Sequence, residues 1–572
     1  MIEPVHILGI HDGHNCGATI TRDGAVVASV SEERLSRRKN EVGYPRRAIE
    51  DCLAIAGIDA GDLAEVTYAS LFMHRQEYLT DLEPWYLVGL ADQRKAAEKP
   101  KDYEKAIFKI RKQERIDEVC DHLGVAAEKV TFVEHHLAHL TAAYYTAPAG
   151  PADQPVLGLT CDGAGDGIAG SVTVCRGNDF ERLATIDRHA SLGKIYSRVT
   201  MLLGMKPWEH EYKVMGLAPY ADPERADRAA DALRSLIRLS DDGLSFVQAG
   251  ELSTNYCYEH LEKSFARVRF DTVSLAAQTF TEELLVDWVR ACVKRTGIAD
   301  IVCGGGVFMN VKANMLIAAL PEVRSLYVMP TAGDESLSIG AALYRFYQTT
   351  GRTDREESTL THLYFGDAYG RAAEQAAVEK LNGGGVTVTE TNDIDRNIVD
   401  LLAGGRIVAR CRGRMEWGAR ALGNRSLLAS ADDPRVTERL NRSIKQRDFW
   451  MPFAPSILAE EAARYIDDPK GLRPRFMTLA YPARAEGYND LAAASHPRDR
   501  TVRPQLVTPD ANPGYHRLLQ LFEQRTGRGV VLNTSFNLHG EPIAYTPEDA
   551  VDVFLRSGLD HLALDNFLLS KT

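Results

Sequence analysis

The sequence predicts an α/β protein in two parts, a duplicated nucleotide-binding domain followed by a second α/β unit. Three observations carry this. Near the start, HILGIHDGHNCGATITRDGAVVASV reads as strand, glycine-rich turn and strand, with β-branched residues alternating on both sides of the turn. About 150 residues later, VLGLTCDGAGDGIAGSVTVCRG repeats that order, a weak internal duplication. Tight turns of this kind aim backbone amides at phosphate groups, and two of them face a nucleotide from opposite sides. From Gly405 onward, strand-like runs (RIVARC, GVVLNTSF) alternate with amphipathic stretches such as PEDAVDVFLRSG, which defines the second α/β unit.

Composition sets the outer limits. At 572 residues the chain is long enough for at least two cores. Its 67 Lys and Arg against 79 Asp and Glu give a net charge of −12, which argues against a general affinity for nucleic acid or anionic lipid. No apolar run reaches the roughly 20 residues of a membrane helix, and MIEPVHILGIHDGHN lacks the basic start and apolar core of a signal peptide. A cytoplasmic protein with no membrane partner is expected. Nine scattered cysteines without a CxxC pair fit reduced, buried thiols.

Between the two hairpins, residues 75–125 are rich in Lys, Glu, Arg and Ala at helical spacing, as in KDYEKAIFKIRKQERIDEVCDHLG, and read as helices covering a sheet. At TTGRTDREEST, residues 349–359, hydrophobicity collapses and charge rises. The domains are therefore drawn at 1–355 and 356–572, with a new β start at Leu363. The string Gly165-Asp-Gly167-Ile-Ala-Gly170 matches GxGxxG but runs into the strand-like SVTVC instead of a helix, which excludes a Rossmann site. GxxxxGK[ST] and HExxH are absent.

Several residues can carry chemistry. In VEHHLAHLTAAYY, His135 and His139 lie four apart on one face of a helix, with His136 turned elsewhere. A bare pair of this kind is open to two readings, a metal site or two polar residues near a surface. Asp334, in PTAGDESLSIGAALY, is either the missing ligand or a helix cap. Gly304, Gly305 and Gly306 follow the apolar strand IADIVC, where backbone can approach a nucleotide and Asn310 can bond its ribose or base, though a tight connection would look the same. Downstream, Arg412, Arg414, Arg420, Arg425, Arg442, Lys445, Arg447 and Arg503 alternate with Trp417, Phe449, Trp450 and Phe453, which points to partial burial around an anion such as a phosphate or carbamate. Asn533, Ser535 and Asn537 add neutral donors after a strand.

HDGHNCGATITRDG, EERLSRRKN, EHHLAH, CDGAGDG, EYKVMGLAPYA, CGGGVFMN, GARALGNRSLLA, IKQRDFWMPFAPSIL and LNTSFNLHGEPI together resemble, in the same order, the O-carbamoyltransferases of antibiotic and nodulation-factor biosynthesis, the NodU/CmcH family. The resemblance spans essentially the whole chain. It implies an N-terminal actin-like ATPase fold of the threonylcarbamoyl-transferase type and a C-terminal domain of the threonylcarbamoyl-adenylate synthase type. Lys445-Gln446-Arg447 with Ser535-Phe536-Asn537 is similar to that synthase's KxR and SxN signature. The implied reaction has two stages. Carbamoyl phosphate and ATP, with Mg2+, give carbamoyl-adenylate in the C-terminal domain, and a small-molecule hydroxyl then takes the carbamoyl group in the N-terminal domain as AMP leaves. An enclosed path protects an intermediate that water destroys.

The resemblance implies His14 as general base, a role suited to an imidazole titrating near neutrality, with Asp12 and Lys39 beside it. It implies His135, His139 and Asp334 as ligands of a divalent metal, Fe2+ first with Mn2+ or Zn2+ as alternatives. Asp162, Gly163, Gly165, Asp166, Gly304, Gly305, Gly306 and Asn310 would line the nucleotide. Arg420, Lys445, Arg447, Arg503, Asn533, Ser535 and Asn537 would contact carbamoyl phosphate and ATP, because charge must be held while phosphate departs. Two positions depart from the pattern. Asn15 stands where many relatives have Asp, so carboxylate help to His14 must come from Asp12 or elsewhere, and Met451 replaces an Arg ahead of PFAP. Other readings are an actin-like small-molecule kinase, which leaves the basic second part unexplained, and a silent nucleotide sensor. A hydrogenase-maturation carbamoyltransferase would carry CxxC pairs. A monomer or homodimer is expected, and the acceptor is not legible.

Overall fold

A computed structural model of the protein describes residues 4–81, 83–98, 101–151, 154–381 and 385–572, with the side chains of 101–105 also outside the description. Residues 82, 99 and 100 of the helical stretch, and Met1 to Glu3 of the N-terminal reading, therefore lie outside the described residues. The chain forms two compact units, one of Met1–Glu32 and Asn40–Leu360, the other of Glu33–Lys39 and Thr361–Thr572.

The first unit holds two five-stranded sheets. One contains β1 (His6–His11), β2 (Gly17–Arg22), β3 (Ala25–Ser31), β4 (Leu63–Ala69) and β5 (Val130–Val133) in the order β3-β2-β1-β4-β5. The other contains β6 (Val156–Gly165), β7 (Ile168–Arg176), β8 (Asp179–Asp187), β11 (Asp300–Gly304) and β12 (Ser325–Val328) in the order β12-β11-β6-β7-β8. A small hairpin of β9 (Ile237–Leu239) and β10 (Phe246–Gln248) stands apart.

Read from the antiparallel edge, the two large sheets have one topology. In each, a meander of three antiparallel strands is followed by two strands parallel to the first. The duplication glimpsed in two hairpins thus extends to whole sheets, and the fold is a duplicated α/β domain. β1 is an unbroken buried run, HILGIH, as a strand covered on both faces must be. Helix His135–Thr146 follows β5 and helix Leu337–Thr350 follows β12, so the two occupy corresponding places in the two halves. The stretch 75–125 contains the predicted helices, of which Lys101–Leu123 is the longest.

The second unit is built on an eight-stranded mixed sheet, ordered β13 (Val386–Glu390), β22 (Phe567–Lys571), β21 (His561–Ala563), β14 (Val408–Cys411), β15 (Arg425–Ser430), β20 (Val530–Ser535), β16 (Ala454–Leu458) and β19 (Gln505–Val507). β17 (Tyr481–Pro482) and β18 (Thr501–Val502) form a separate short pair. Helices Ile394–Ala403 and Pro513–Thr526 bury Ile398, Leu402, Leu518 and Phe522 in its core. The strand expected at Leu363 is not one: Leu363, Tyr364 and Phe365 are buried in a loop whose backbone bonds the 415–417 segment, and among the described residues the first strand of this unit is β13. Apolar residues at that point mark burial alone, which strands and core-covering loops share.

Candidate functional site

In open α/β sheets, ligands gather beyond the carboxyl ends of the parallel strands. The first unit assembles its polar cluster there, from both halves. β1 leads to His11, Asp12 and His14, and β5 leads to His135 and His139. Asp162 lies in β6 where the regular pairing with β7 is interrupted, between Cys161 and Gly165, and Asp334 lies beyond β12. Glu134 caps the His135 helix, its carboxylate accepting the N–H groups of His136 and Leu137 at 2.9 and 2.8 Å. The four-residue spacing then puts His135 and His139 on one side, while His136 turns back to bond Thr160 Oγ1 and the Ile168 carbonyl. Burial, with His135 and His139 next to it, drives the His136 pKa down to about 3.

His135, His139, Asp162 and Asp334 each offer a donor atom, all within 4.8 Å of one another. His135 Nε2 lies 3.3 Å from Asp162 Oδ2 and 3.7 Å from Asp334 Oδ1. His139 Nε2 lies 3.4 Å from Asp334 Oδ1 and 3.9 Å from Asp162 Oδ2. Neither ring nitrogen of His139 makes a hydrogen bond, although the residue is fully buried. Two imidazoles and two carboxylates converging around an unsatisfied buried nitrogen fit a divalent first-row metal. Ser70 Oγ bonds His135 Nδ1 at 2.9 Å, which turns Nε2 toward the cluster. The electrostatics agree. Burial alone would lower the His135 pKa, but Asp334 and Asp162 outweigh it and carry the group up to about 9. Against their own burial, both carboxylates are held below the usual range, Asp162 by His135 and His139, Asp334 by His14 and the same pair.

The cluster thus takes in Asp162, which the sequence assigned to the nucleotide. The missed signal is that Asp162 lies late in β6, the strand corresponding to β1, just past whose end stand Asp12 and His14. His14 joins it too: its Nδ1 lies 3.4 Å from Asp334 Oδ2, and its ring stacks on Trp208 with centroids 4.6 Å apart. His11 Nε2 meets the His14 carbonyl at 3.0 Å and Asp334 Oδ2 at 3.7 Å. Burial lowers the His11 pKa to about 4. Asn15 adopts a left-handed conformation, φ +54°, which Asn tolerates well. The carboxylate facing His14 is that of Asp334, whereas Asp12 is tied to Arg115 at 2.8 Å.

Other expected nucleotide contacts are taken by the fold. Asp166 accepts the backbone N–H groups of Leu71, Phe72 and His135 at 2.8, 3.0 and 2.8 Å and so clamps two segments together. Asn310 caps a helix, its Oδ1 accepting from Ala313 N and Gln278 Nε2 while its amide donates to Gln278 Oε1. The Gly304–Gly306 turn lies against the protein itself: a Cβ at 305 would stand 2.3 Å from the Cys161 carbonyl, and Gly306 N donates to Asp162 Oδ1 at 2.9 Å. Gly165 is needed because a Cβ would meet the His135 ring at 2.0 Å. Gly163 has open space where a side chain would be.

In the second unit, Lys445 Nζ donates to Ser535 Oγ at 3.1 Å and Asn537 Oδ1 at 2.8 Å. Arg447 Nη2 donates to Thr534 Oγ1 at 3.1 Å and its guanidinium lies over Phe453. Burial, then Arg447 and Lys39, hold the Lys445 pKa well below that of an ordinary lysine. Lys39 groups with this lysine in the second unit. Asn533 gives its amide to Ala421, Ser456 and Gln505, leaving its buried Oδ1 without a partner. Arg420 and Arg503 belong to the same unit. Four of the clustered cations serve the fold instead: Arg412 pairs with Asp395 and Asp565, Arg414 and Arg425 bind backbone carbonyls, and exposed Arg442 pairs with Glu438. Trp417 and Phe453 are buried, but Phe449 and Arg442 are exposed, so the alternation does not mark burial throughout, and burial alone does not require a bound anion.

Among the described residues no helix is long and apolar enough to cross a membrane. Residues 6–343 match the carbamoyltransferase N-terminus family and residues 399–571 the carbamoyltransferase C-terminus family. The chain is 31% identical to nodulation protein NolNO of Sinorhizobium fredii over 98% of its length and 79% of that protein. It is 30% identical to the 3'-hydroxymethylcephem-O-carbamoyltransferase of Amycolatopsis lactamdurans over 59% of its length and 61% of that protein. Its backbone is similar at a TM-score of 0.32 to HypF of T. kodakarensis, with 13% identity, over 62% of this chain and 50% of that one. With both halves matched in order and a relative aligned along nearly its whole length, the chain belongs to the carbamoyltransferase family.

Proposed function

We propose that the protein is an ATP-dependent O-carbamoyltransferase. In the second unit, carbamoyl phosphate reacts with water to give carbamate and phosphate, and carbamate displaces pyrophosphate from ATP to give carbamoyl-adenylate. In the first unit, the hydroxyl of a small-molecule acceptor attacks the carbamoyl carbon, and AMP leaves. The observation that carries the reading is the buried Lys445 Nζ, held by the neutral oxygens of Ser535 and Asn537 with the cations Arg447 and Lys39 as its charged neighbours. Such a group calls for an anion, and a carbamate beside a triphosphate supplies one.

In the first unit, His14 takes the acceptor's proton at Nε2, because Asp334 faces Nδ1 and Trp208 fixes the ring plane. His135, His139, Asp162 and Asp334 would hold a divalent cation, iron(II) first and manganese or zinc as alternatives. When bound, the cation supplies fixed positive charge for the adenylate and for the oxyanion that develops on it. Gly163, next to Asp162, has nothing within 4 Å of where a side chain would stand, so its backbone is open to the nucleotide.

The test is carbamoyl-phosphate-dependent exchange of labelled pyrophosphate into ATP by the full chain with no acceptor present. Exchange is expected. Formation of ADP instead would favour a small-molecule kinase, and tight ATP binding without turnover would favour a silent sensor.

A further inference from the structure

We infer that Arg115 is a positioning residue of the first unit's centre, one buried guanidinium that fixes both the loop bearing His14 and the orientation of His135. The inference rests on reading His14 and the His135–His139–Asp162–Asp334 cluster as one active centre. Arg115 lies on helix Lys101–Leu123, in the stretch that the sequence reads as scaffold, and its side chain is fully buried. Nη2 donates to Asp12 Oδ1 at 2.8 Å, and Nη1 donates to the Ser70 carbonyl at 2.9 Å.

These two acceptors are the roots of the site. Asp12 begins the loop from β1 to His14. Ser70 follows β4, and its hydroxyl holds His135 Nδ1. Ser70 has φ +90°, a conformation that a residue with a side chain keeps only when its surroundings impose it. Asp166, gripping Leu71 N and Phe72 N, and Arg115, gripping the Ser70 carbonyl, are those surroundings. The guanidinium is itself fixed: its centre lies 4.2 Å from the Tyr68 ring centroid and 5.1 Å from that of Phe132, and Tyr68 Oη donates back to the Arg115 carbonyl at 3.1 Å. A planar fork reaches two acceptors at once, which an ammonium does not do with the same geometry.

The test uses cobalt(II) alone, whose visible absorption reports ligand geometry, on full-length wild type, Arg115→Lys and Arg115→Ala. Both variants are expected to bind cobalt about 10- to 100-fold more weakly, the usual effect of losing an outer-shell partner, with an altered spectrum at unchanged far-ultraviolet dichroism. Guanidinium ion added to Arg115→Ala should restore the wild-type spectrum. Wild-type affinity and spectrum in Arg115→Lys would overturn the inference, and that variant also decides the matter if Arg115→Ala does not fold. If wild type itself takes no cobalt, the metal reading fails separately. Side-chain 15N signals of His14 and His135 in metal-free protein then decide, shifted in Arg115→Lys if Arg115 positions them and unmoved if it does not.

Discussion

His14 and His139 share one carboxylate: Asp334 presents Oδ2 to His14 Nδ1 at 3.4 Å and Oδ1 to His139 Nε2 at 3.4 Å. On the proposed roles, a carboxylate that serves the base and the metal ligands together cannot be altered for one without the other. His14→Gln should lower transfer to the acceptor by about 10²- to 10⁴-fold while leaving metal content and pyrophosphate exchange unchanged. Asp334→Asn should lower transfer and metal content together. Metal analysis beside the two half-reactions reads this, and loss of metal in His14→Gln would show the division of labour to be wrong.

Proton release should accompany metal binding. In metal-free protein His135 is pulled up to about 9, burial opposing and Asp334 and Asp162 prevailing, so at neutral pH it holds a proton that a metal must displace. Affinity should therefore rise with pH until about 9. The sign for stability follows from the same value. A histidine with a raised folded-state pKa stabilises fully below its unfolded value of about 6.5, and that contribution is lost as pH rises through about 9. Metal-free protein should lose thermal stability across that window and metal-loaded protein should not. Titration calorimetry in buffers of different ionisation heat, with melts taken with and without chelator, checks both points.

Gly165→Ala tests the packing behind the metal ligands. Its Cβ would stand 2.0 Å from the His135 ring, so the ring must move off the cluster. A stability loss of about 1 to 3 kcal/mol is expected, as for other overpacked interiors, together with weakened metal binding. Gly163→Ala, where nothing lies within 4 Å, is the control for stability. Equal melting temperatures for the two variants would contradict the arrangement.

Lys445→Met keeps most of the buried stem and removes the charge. Pyrophosphate exchange should fall by about 10²- to 10³-fold, the range seen when one preorganised donor to developing charge is lost. Metal content of the first unit should stay at the wild-type level. Retained exchange would mean that the Ser535–Asn537 pocket holds some other ligand.

Met451→Arg should tighten carbamoyl phosphate binding. Of the two cations able to substitute, Arg442 is exposed and engaged with Glu438, which leaves only Arg447, beside Lys445 and bonded to Thr534. A restored charge-assisted contact contributes about 1.5 to 3 kcal/mol, tenfold or more in affinity. An unchanged KM for carbamoyl phosphate would remove Met451 from the pocket.

Much of this was legible in the sequence, for identifiable reasons. The hairpins at 6–31 and 156–187 carry turn chemistry and alternation, which are local. The HxxxH spacing put His135 and His139 on one helical side, and the GGG turn after an apolar strand marked β11. What escaped depends on which distant segments meet. No local pattern says that Asp162 joins His135, that Asp12 belongs to Arg115, or that Lys39 lies with Lys445. Asp166 has the right chemistry for a nucleotide, but the backbone it meets satisfies it first. Leu363 misled because buried loops are as apolar as strands.

The placement of Glu33–Lys39 in the second unit bears on how the protein is made. Arg34 bonds the Gly418 carbonyl, and Arg37 bonds those of Pro542 and Ile543. This piece leaves the ribosome hundreds of residues before its partners, and β22, which pairs on both sides within the eight-stranded sheet, is among the last to follow. Folding of the second unit therefore cannot run by simple succession along the chain, because its earliest piece must wait for the rest. For the same reason, a gene cut at residue 360 would yield a C-terminal fragment lacking part of its own interior.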